Sequence, residues 1–236
     1  MRAKQLELSF LVRSGRGGAR VGAGRKASPA QQRRTAHRAR PVHRKAEPVH
    51  VTLRAFTRSL RCQQVVRTVL GALHASNAEH FRVVHYSVQA NHLHLIVEAT
   101  DKASLSSGVR GLMVRLARRV NRLLFRRGRF WADRWHGRAL TNPRQVRNAL
   151  VYVLQNHKKH GHAQAAGRIG LPGPTENTAL DPLSSAPWFD GFAEPNTVTP
   201  RNVGPPCVLP PSSWLLRTGW RRHGLIHRAE GPSVSC

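Results

Sequence analysis

Negative charge is scarce in this chain. Eleven Asp and Glu residues stand against 39 Lys and Arg in 236 positions, a formal net charge of +28. So few carboxylates exclude a carboxylate-rich metal cage or an acidic chaperone tail. Cysteine is scarce too. Cys62, Cys207 and Cys236 are odd in number and far apart, which suits neither a zinc site nor a disulfide framework. They read as free thiols of a reducing compartment. No apolar run approaches the roughly 18 residues of a membrane span. The opening MRAKQLELSFLVRSG lacks the long apolar stretch and cleavage site of a secretory signal. A cytoplasmic, nucleoid-associated protein with no membrane partner is the expectation. Tyrosine occurs twice only, as Tyr86 and Tyr152.

What is abundant is positive charge, and it implies a polyanionic partner bound partly through counterion release. The hydrophobic share of 40% is enough for a packed core. Three regions follow from composition. Residues 1–48 carry 13 basic and two acidic residues with no apolar periodicity, a tail expected to be disordered alone and to contact nucleic acid. Residues 49–162 alternate strand-like and helix-like patterns. Residues 163–236 hold 11 of the 15 prolines and are expected to form an irregular arm. Its two Trp-containing islands, 181–192 and 210–226, either dock on the domain or grip DNA.

In the middle region VHVTLRA alternates as a strand, and 58–76 is helical in composition. Two β-rich runs, 81–89 and 92–98, meet at Ala90-Asn91, a hairpin turn. Leu105, Val109, Leu112, Met113, Leu116, Val120, Leu123 and Leu124 make one apolar helical stripe. Residues 129–141 read as a fourth strand with irregular ends. Asn142-Pro143 then opens a last helix over 143–160. The order β-α-β-β-α-β-α predicts an α+β, ferredoxin-like antiparallel sheet with helices on one face and one added helix. The other sheet face is left for a ligand.

NHLHLIVE puts His92 and His94 on one face of a strand, with Leu93, Leu95 and Val97 on the other. Two imidazoles so placed can hold a divalent ion, or simply form a polar surface pair. The last helix has an apolar stripe of Val146, Ala149, Leu150 and Val153. Its polar face carries Tyr152 and, four residues on, Asn156. Either Tyr152 is a solvated surface ring or it meets the histidine pair across the free sheet face. Glu98 shares the face of His94, as a partner behind the histidines or as an ordinary strand-end charge. His85 reads as structural or as part of the sheet surface, and His136 as a phosphate contact at most.

The stretches VHVTLRA, FRVVHYSVQANHLHLIVEA, RLARRVNRLLFRRGRFWADRWHGRAL and VRNALVYVLQNHKKHG occur in one order over residues 49–162. Together they resemble the single-tyrosine transposases of the HUH superfamily, and REP-associated tyrosine transposases most of all, built on an IS200-like transposase domain. The resemblance implies that His92 and His94 bind Mg²⁺ or Mn²⁺, with Asn156 as third ligand and Tyr152 as nucleophile. It implies single-stranded, hairpin-bearing DNA as substrate. Two positions depart from the family pattern: His157 follows Asn156 where proline is common, and Trp135 stands where tyrosine is expected. Relatives occur as monomers and dimers, so a homodimer is an open expectation.

DNA contacts are expected from Arg115, Arg118, Arg119, Arg122 and Arg126 on the long helix, and from Arg129, Arg134 and Arg138 after it. Lys158 and Lys159, at a basic helix end that also complements the helix dipole, are further candidates. Phe130, Trp131 and Trp135 are either stacking platforms or core. Two functions compete: a metal-dependent DNA-cleaving and -joining enzyme, and a non-catalytic DNA- or RNA-binding module. A replication initiator or relaxase would use the same site, but nothing in the sequence supports one.

Overall fold

Valine and leucine at every second position of VHVTLR force a two-sided strand, and the structure, a computed structural model, forms one there. It describes residues 42–56, 60–159, 180–195 and 206–232, with the side chain of Lys159 left out. The disorder expected of the leader concerns residues that, up to 41, lie outside the described ones. Four strands, β1 (Val49–Arg54), β2 (Phe81–Val88), β3 (His92–Ala99) and β4 (His136–Ala139), form one antiparallel sheet in the order β2-β3-β1-β4. Helices α1 (Gln63–His74) and α2 (Lys102–Leu123) connect β1 to β2 and β3 to β4. This is the ferredoxin-like order.

One face of the sheet presents Val51, Leu53, Leu93, Leu95 and Val97 to the two helices. The α2 stripe of Leu105, Val109, Leu112, Leu116 and Val120 is buried against it. Asp101 caps α2, its carboxylate accepting from the Ser104 amide at 2.8 Å. Gly108 lets the Phe81 ring lie on the helix backbone, since a Cβ there would meet the ring at 2.3 Å. Phe130, Trp131 and Trp135 belong to this core. The Trp131 indole N–H donates to the Met113 carbonyl at 2.9 Å. Returning such a ring to water costs about 2–3 kcal/mol, which offsets the roughly 1–3 kcal/mol gained from stacking one base. These aromatics are core, and the stacking reading is set aside.

The second face is covered by α3 (Pro143–Leu154) and by parts of the C-terminal arm. A bulge between Val83 and His85 turns Val84 toward this side, where it meets Ile96 and the α3 stripe of Val146, Ala149, Leu150 and Val153. Phe189, Phe192, Leu215, Leu216, Trp220 and Ile226 of the arm join the same cluster. The arm's only regular pieces among the described residues are two 3-10 turns (Ala186–Trp188, Gly219–His223) and the short α5 (Trp214–Arg217).

Polar anchors fix the arm. Arg61 donates to both oxygens of buried Asp181, at 3.0 and 2.9 Å, and to the Val88 carbonyl. Removing either partner strands the other charge, which costs about 3–5 kcal/mol. Glu98 accepts from the Ser212 and Ser213 amides and the Ser212 hydroxyl at 2.7–2.8 Å. Both sequence readings of Glu98 are therefore corrected: it is neither behind the histidines nor a free strand-end charge.

His85, as expected, is structural. It is buried, within 3.2 Å of the Ser185 hydroxyl and edge-on to Phe189. Burial lowers its pKa from 6.5 to about 4. A lowered histidine pKa means that the unfolded chain takes up the proton first. The stabilisation is complete above the ordinary value and is lost as pH falls from 6.5 toward 4. His85→Asn should therefore flatten the acid limb of stability, removing about 3 kcal/mol of its fall. Urea unfolding at pH 7 and pH 4.5 measures this; an unchanged difference between the two would contradict it.

Candidate active site

The site is assembled from three strands and one helix. On the face that turns away from α1 and α2, β3 presents His92 and His94. The register pairs Thr52 of β1 with His94, and Arg54 with His92. His50 lies opposite Ile96, and β4 places His136 and Arg138 beside Thr52 and His50. Strand alternation alone thus collects four imidazoles and two guanidiniums on one surface.

The rings of His92 and His94 are nearly parallel, with centroids 6.1 Å apart. Thr52 Oγ1 lies 3.2 Å from His94 Nδ1, a contact that fixes the ring. The helix α3 starts where the sequence said it would, with the Asn142 side chain accepting from the Gln145 amide and Pro143 in the first turn. Its stripe sits on Ile96, and this docking carries Tyr152 over the sheet. The phenol ring, half-buried, stands edge-on to His94 at 5.1 Å and to His50 at 5.5 Å. His50 and His94 are 5.5 Å apart.

The end of α3 differs from expectation. The helix stops at Leu154, Gln155 leaves helical geometry (φ −116°, ψ 17°), and a separate turn, α4 (Asn156–Lys159), follows. Asn156 is consequently not a surface neighbour of Tyr152 on one unbroken helix. It is fully buried, and neither atom of its amide has a hydrogen-bond partner. Gln155 is buried and donates to the His227 carbonyl. Lys158 donates to Gln155 Oε1 and to the Arg228 and Glu230 carbonyls, so it holds the arm, not DNA. Burial lowers its pKa.

The arginines separate into two groups. Arg115, Arg118, Arg119 and Arg122 lie on α2, across the sheet from the histidines. Arg138 shares the histidine face. Arg126, Arg129 and Arg134 are exposed in and after the turn that ends α2. Arg129 also donates to the Ala132 carbonyl and covers the Phe56 ring.

His50 and Thr52 were missed in the sequence. Their signal was present: in VHVTLR the polar residues alternate with Val49, Val51 and Leu53, and any partner strand carrying His92 and His94 would align them. Burial chiefly, then the positive charge of His136 and Arg138, lowers the His50 pKa from 6.5 to about 4. At neutral pH it is an uncharged imidazole, and its buried Nε2 has no hydrogen-bond partner.

Residues 48–156 match the model of the IS200-like transposase family. Over those residues the chain is similar to this family. Among solved structures, a REP-associated tyrosine transposase bound to a REP hairpin is similar at 17% identity, over 54% of this chain and 75% of that one, with a TM-score of 0.45. A transposase candidate from Deinococcus radiodurans is similar at 13% identity, over 58% and 97%, with a TM-score of 0.33. No curated protein matches the chain.

A divalent ion of the kind the family resemblance implies would find a fitting donor set. His92 and His94 supply imidazole nitrogens, and Asn156 supplies a buried carboxamide oxygen without a partner. Among the described residues no cluster of three or more His, Cys, Asp or Glu is placed to hold a metal. Thr52→Val, which removes the hydroxyl from His94 Nδ1, is expected to weaken Mn²⁺ binding about 10-fold. Mn²⁺ titration followed by electron paramagnetic resonance checks this; unchanged affinity would show that His94 needs no such support.

Proposed function

We propose that this chain is a transposase-type endonuclease that cleaves and rejoins single-stranded, hairpin-bearing DNA through a 5′-phosphotyrosine. The observation that carries the reading is the Tyr152 ring, 5.1 Å from His94 on a helix that crosses the histidine face. A pure binding module needs no convergence of a phenol with an imidazole pair. The match of residues 48–156 to the IS200-like transposase family supports the same reaction class.

The chemistry follows from the groups. Tyr152 Oη attacks the scissile phosphorus and loses its proton to solvent or a nearby base. The P–O3′ bond breaks and a 3′-hydroxyl departs, leaving the 5′-phosphate on the phenol. The phosphoester energy is retained in that linkage. A 3′-hydroxyl from another strand attacks the same phosphorus, releases the phenol and joins the ends, so ATP is not required. Mg²⁺ or Mn²⁺ held by His92, His94 and Asn156 would neutralise phosphate charge and orient it for in-line attack. His50 and Arg138 border the same space and supply uncharged and positive contacts to the phosphate. Such a substrate places the protein on the nucleoid in the cytoplasm. REP-type repeats are the proposed target class, in line with the sequence resemblance.

A labelled hairpin oligonucleotide with Mn²⁺ should yield a covalent protein–DNA adduct on a denaturing gel. Tyr152→Phe should abolish the adduct, at least a 1000-fold loss on the order of losing a nucleophile, with DNA affinity nearly unchanged. Adduct formed by the Phe variant would reassign the nucleophile. A wild-type protein that binds the hairpin but never forms an adduct would leave the non-catalytic module standing.

A further inference from the structure

The backbone of β1 stays paired beyond its last ladder residue. The Ala55 amide donates to the Asn91 carbonyl at 2.9 Å on the β3 side, and the Phe56 amide to the Phe130 carbonyl at 3.0 Å on the β4 side. Ala55 also bridges Trp131 and is buried in the core under α1 and α2. Alternation therefore carries on, so that His50, Thr52, Arg54 and Phe56 follow one another along the histidine face. Arg54 lies opposite His92, and Phe56 stands one further step of about 7 Å along the strand. That step is comparable with the reach of one nucleotide. A single exposed apolar ring needs no explanation in itself. This one differs in how it is held. Phe130 and Trp131 at the same corner are buried, whereas Phe56 remains 55% exposed. The Arg129 guanidinium lies over the Phe56 ring at 5.6 Å and is itself tied to the Ala132 carbonyl at 2.9 Å. Neither 48–56 nor 124–132 contains an acidic residue. Arg54 and Arg129 are exposed and form no ion pair among the described residues.

We infer that Phe56 is a specificity-determining residue of this site: its ring, backed by Arg129, stacks on the base of the unpaired nucleotide next to the scissile phosphate. That the phosphate is scissile rests on the function proposed above; the stacking of an unpaired base rests on the placement of the ring. A nucleotide has a π-face and an anionic phosphate, and this corner offers an aromatic face and two guanidiniums to meet them. The arginine over the ring is drawn to the same π-system and leaves most of the residue open. A paired base hides its faces in a helical stack, so only an unpaired one can lie flat here. Stacking grows with the area of the base, which favours a purine over a pyrimidine at this position. The histidines then address the phosphate and Phe56 the base beside it, on adjoining steps of one strand face.

The test uses the Tyr152→Phe protein, so that no cleavage intervenes, and a DNA hairpin extended by a single-stranded tail. 2-Aminopurine, whose fluorescence falls on stacking, replaces each tail base in turn. One position should be quenched on binding; the quenching should vanish with Phe56→Ala and persist with Phe56→Tyr. With the ordinary base at that position, Phe56→Ala should weaken binding by about 5-fold or more, equally at low and high salt, because a stacked base releases no counterions. With an abasic site there, the same substitution should cost less than about 2-fold, which closes a double-mutant cycle between ring and base. A purine should bind about 2- to 3-fold more tightly than a pyrimidine when Phe56 is present, and equally well when it is replaced by alanine. An unchanged affinity would overturn the proposal, since the ring then touches no base. An equal loss on the abasic strand would overturn it too, by showing that the ring only supports the fold. In the protein that retains Tyr152, the quenched base should adjoin the nucleotide carried by the adduct; a quenched base elsewhere in the tail would overturn that placement. Absence of any adduct would count against the function proposed above, while quenching reads the stack independently of it.

Discussion

The alternation of β1 and β3 in one antiparallel register is the constraint on which this molecule depends. It turns Val51, Leu53, Leu93 and Leu95 toward α1 and α2 and leaves His50, Thr52, His92 and His94 on the reverse. A slip of one residue would bury the imidazoles and expose the leucines. The apolar face therefore enforces the polar one: the hydrophobic core is what aligns the histidines. Ile96 is the exception on the histidine face, and it is the foothold on which α3 docks. The position of Tyr152 is thus set by packing of the stripe below it.

Scarcity of carboxylates shapes both the arm and the site. Glu98, Asp181, Glu194 and Glu230 each hold the arm: through the Ser212 and Ser213 amides, the Arg61 guanidinium, the Arg228 amide and the Arg147 guanidinium. Arg147 also donates to the Gly224 and Leu225 carbonyls. With Gln155 and Lys158 bound further along, the arm braces the tyrosine helix at its middle and at its end. The acids that the chain does possess are largely committed to architecture. The strand neighbours of the histidines among the described residues are neutral or positive, Thr52, Arg54 and Arg138 among them.

The two sheet faces also divide two kinds of positive charge. On the histidine face Arg54 and Arg138 stand beside imidazoles and a phenol. On the helical face the arginines line an open groove with no titratable partner and no aromatic ring. One sheet thus separates a chemically equipped surface from a purely electrostatic one.

The sequence by itself determined the strand and helix order, the face on which His92 and His94 lie, and the start of α3. All of these depend on periodicity and on residues close in the chain, such as Asn142 and Pro143. Tertiary structure decided the rest. Whether His50 meets Tyr152 depends on which strand lies beside β3, and that pairing joins residues about 40 to 50 positions apart, as His50 and Ile96 are. Phe130, Trp131 and Trp135 were ambiguous because an aromatic ring suits a core and a base stack equally until its surroundings are fixed. The break at Gln155, which buries Asn156 and turns Lys158 to the arm, arises from contacts with residues near 227–230. No local signal in VLQNHKK records them, because the groups that satisfy that helix end come from the far end of the chain.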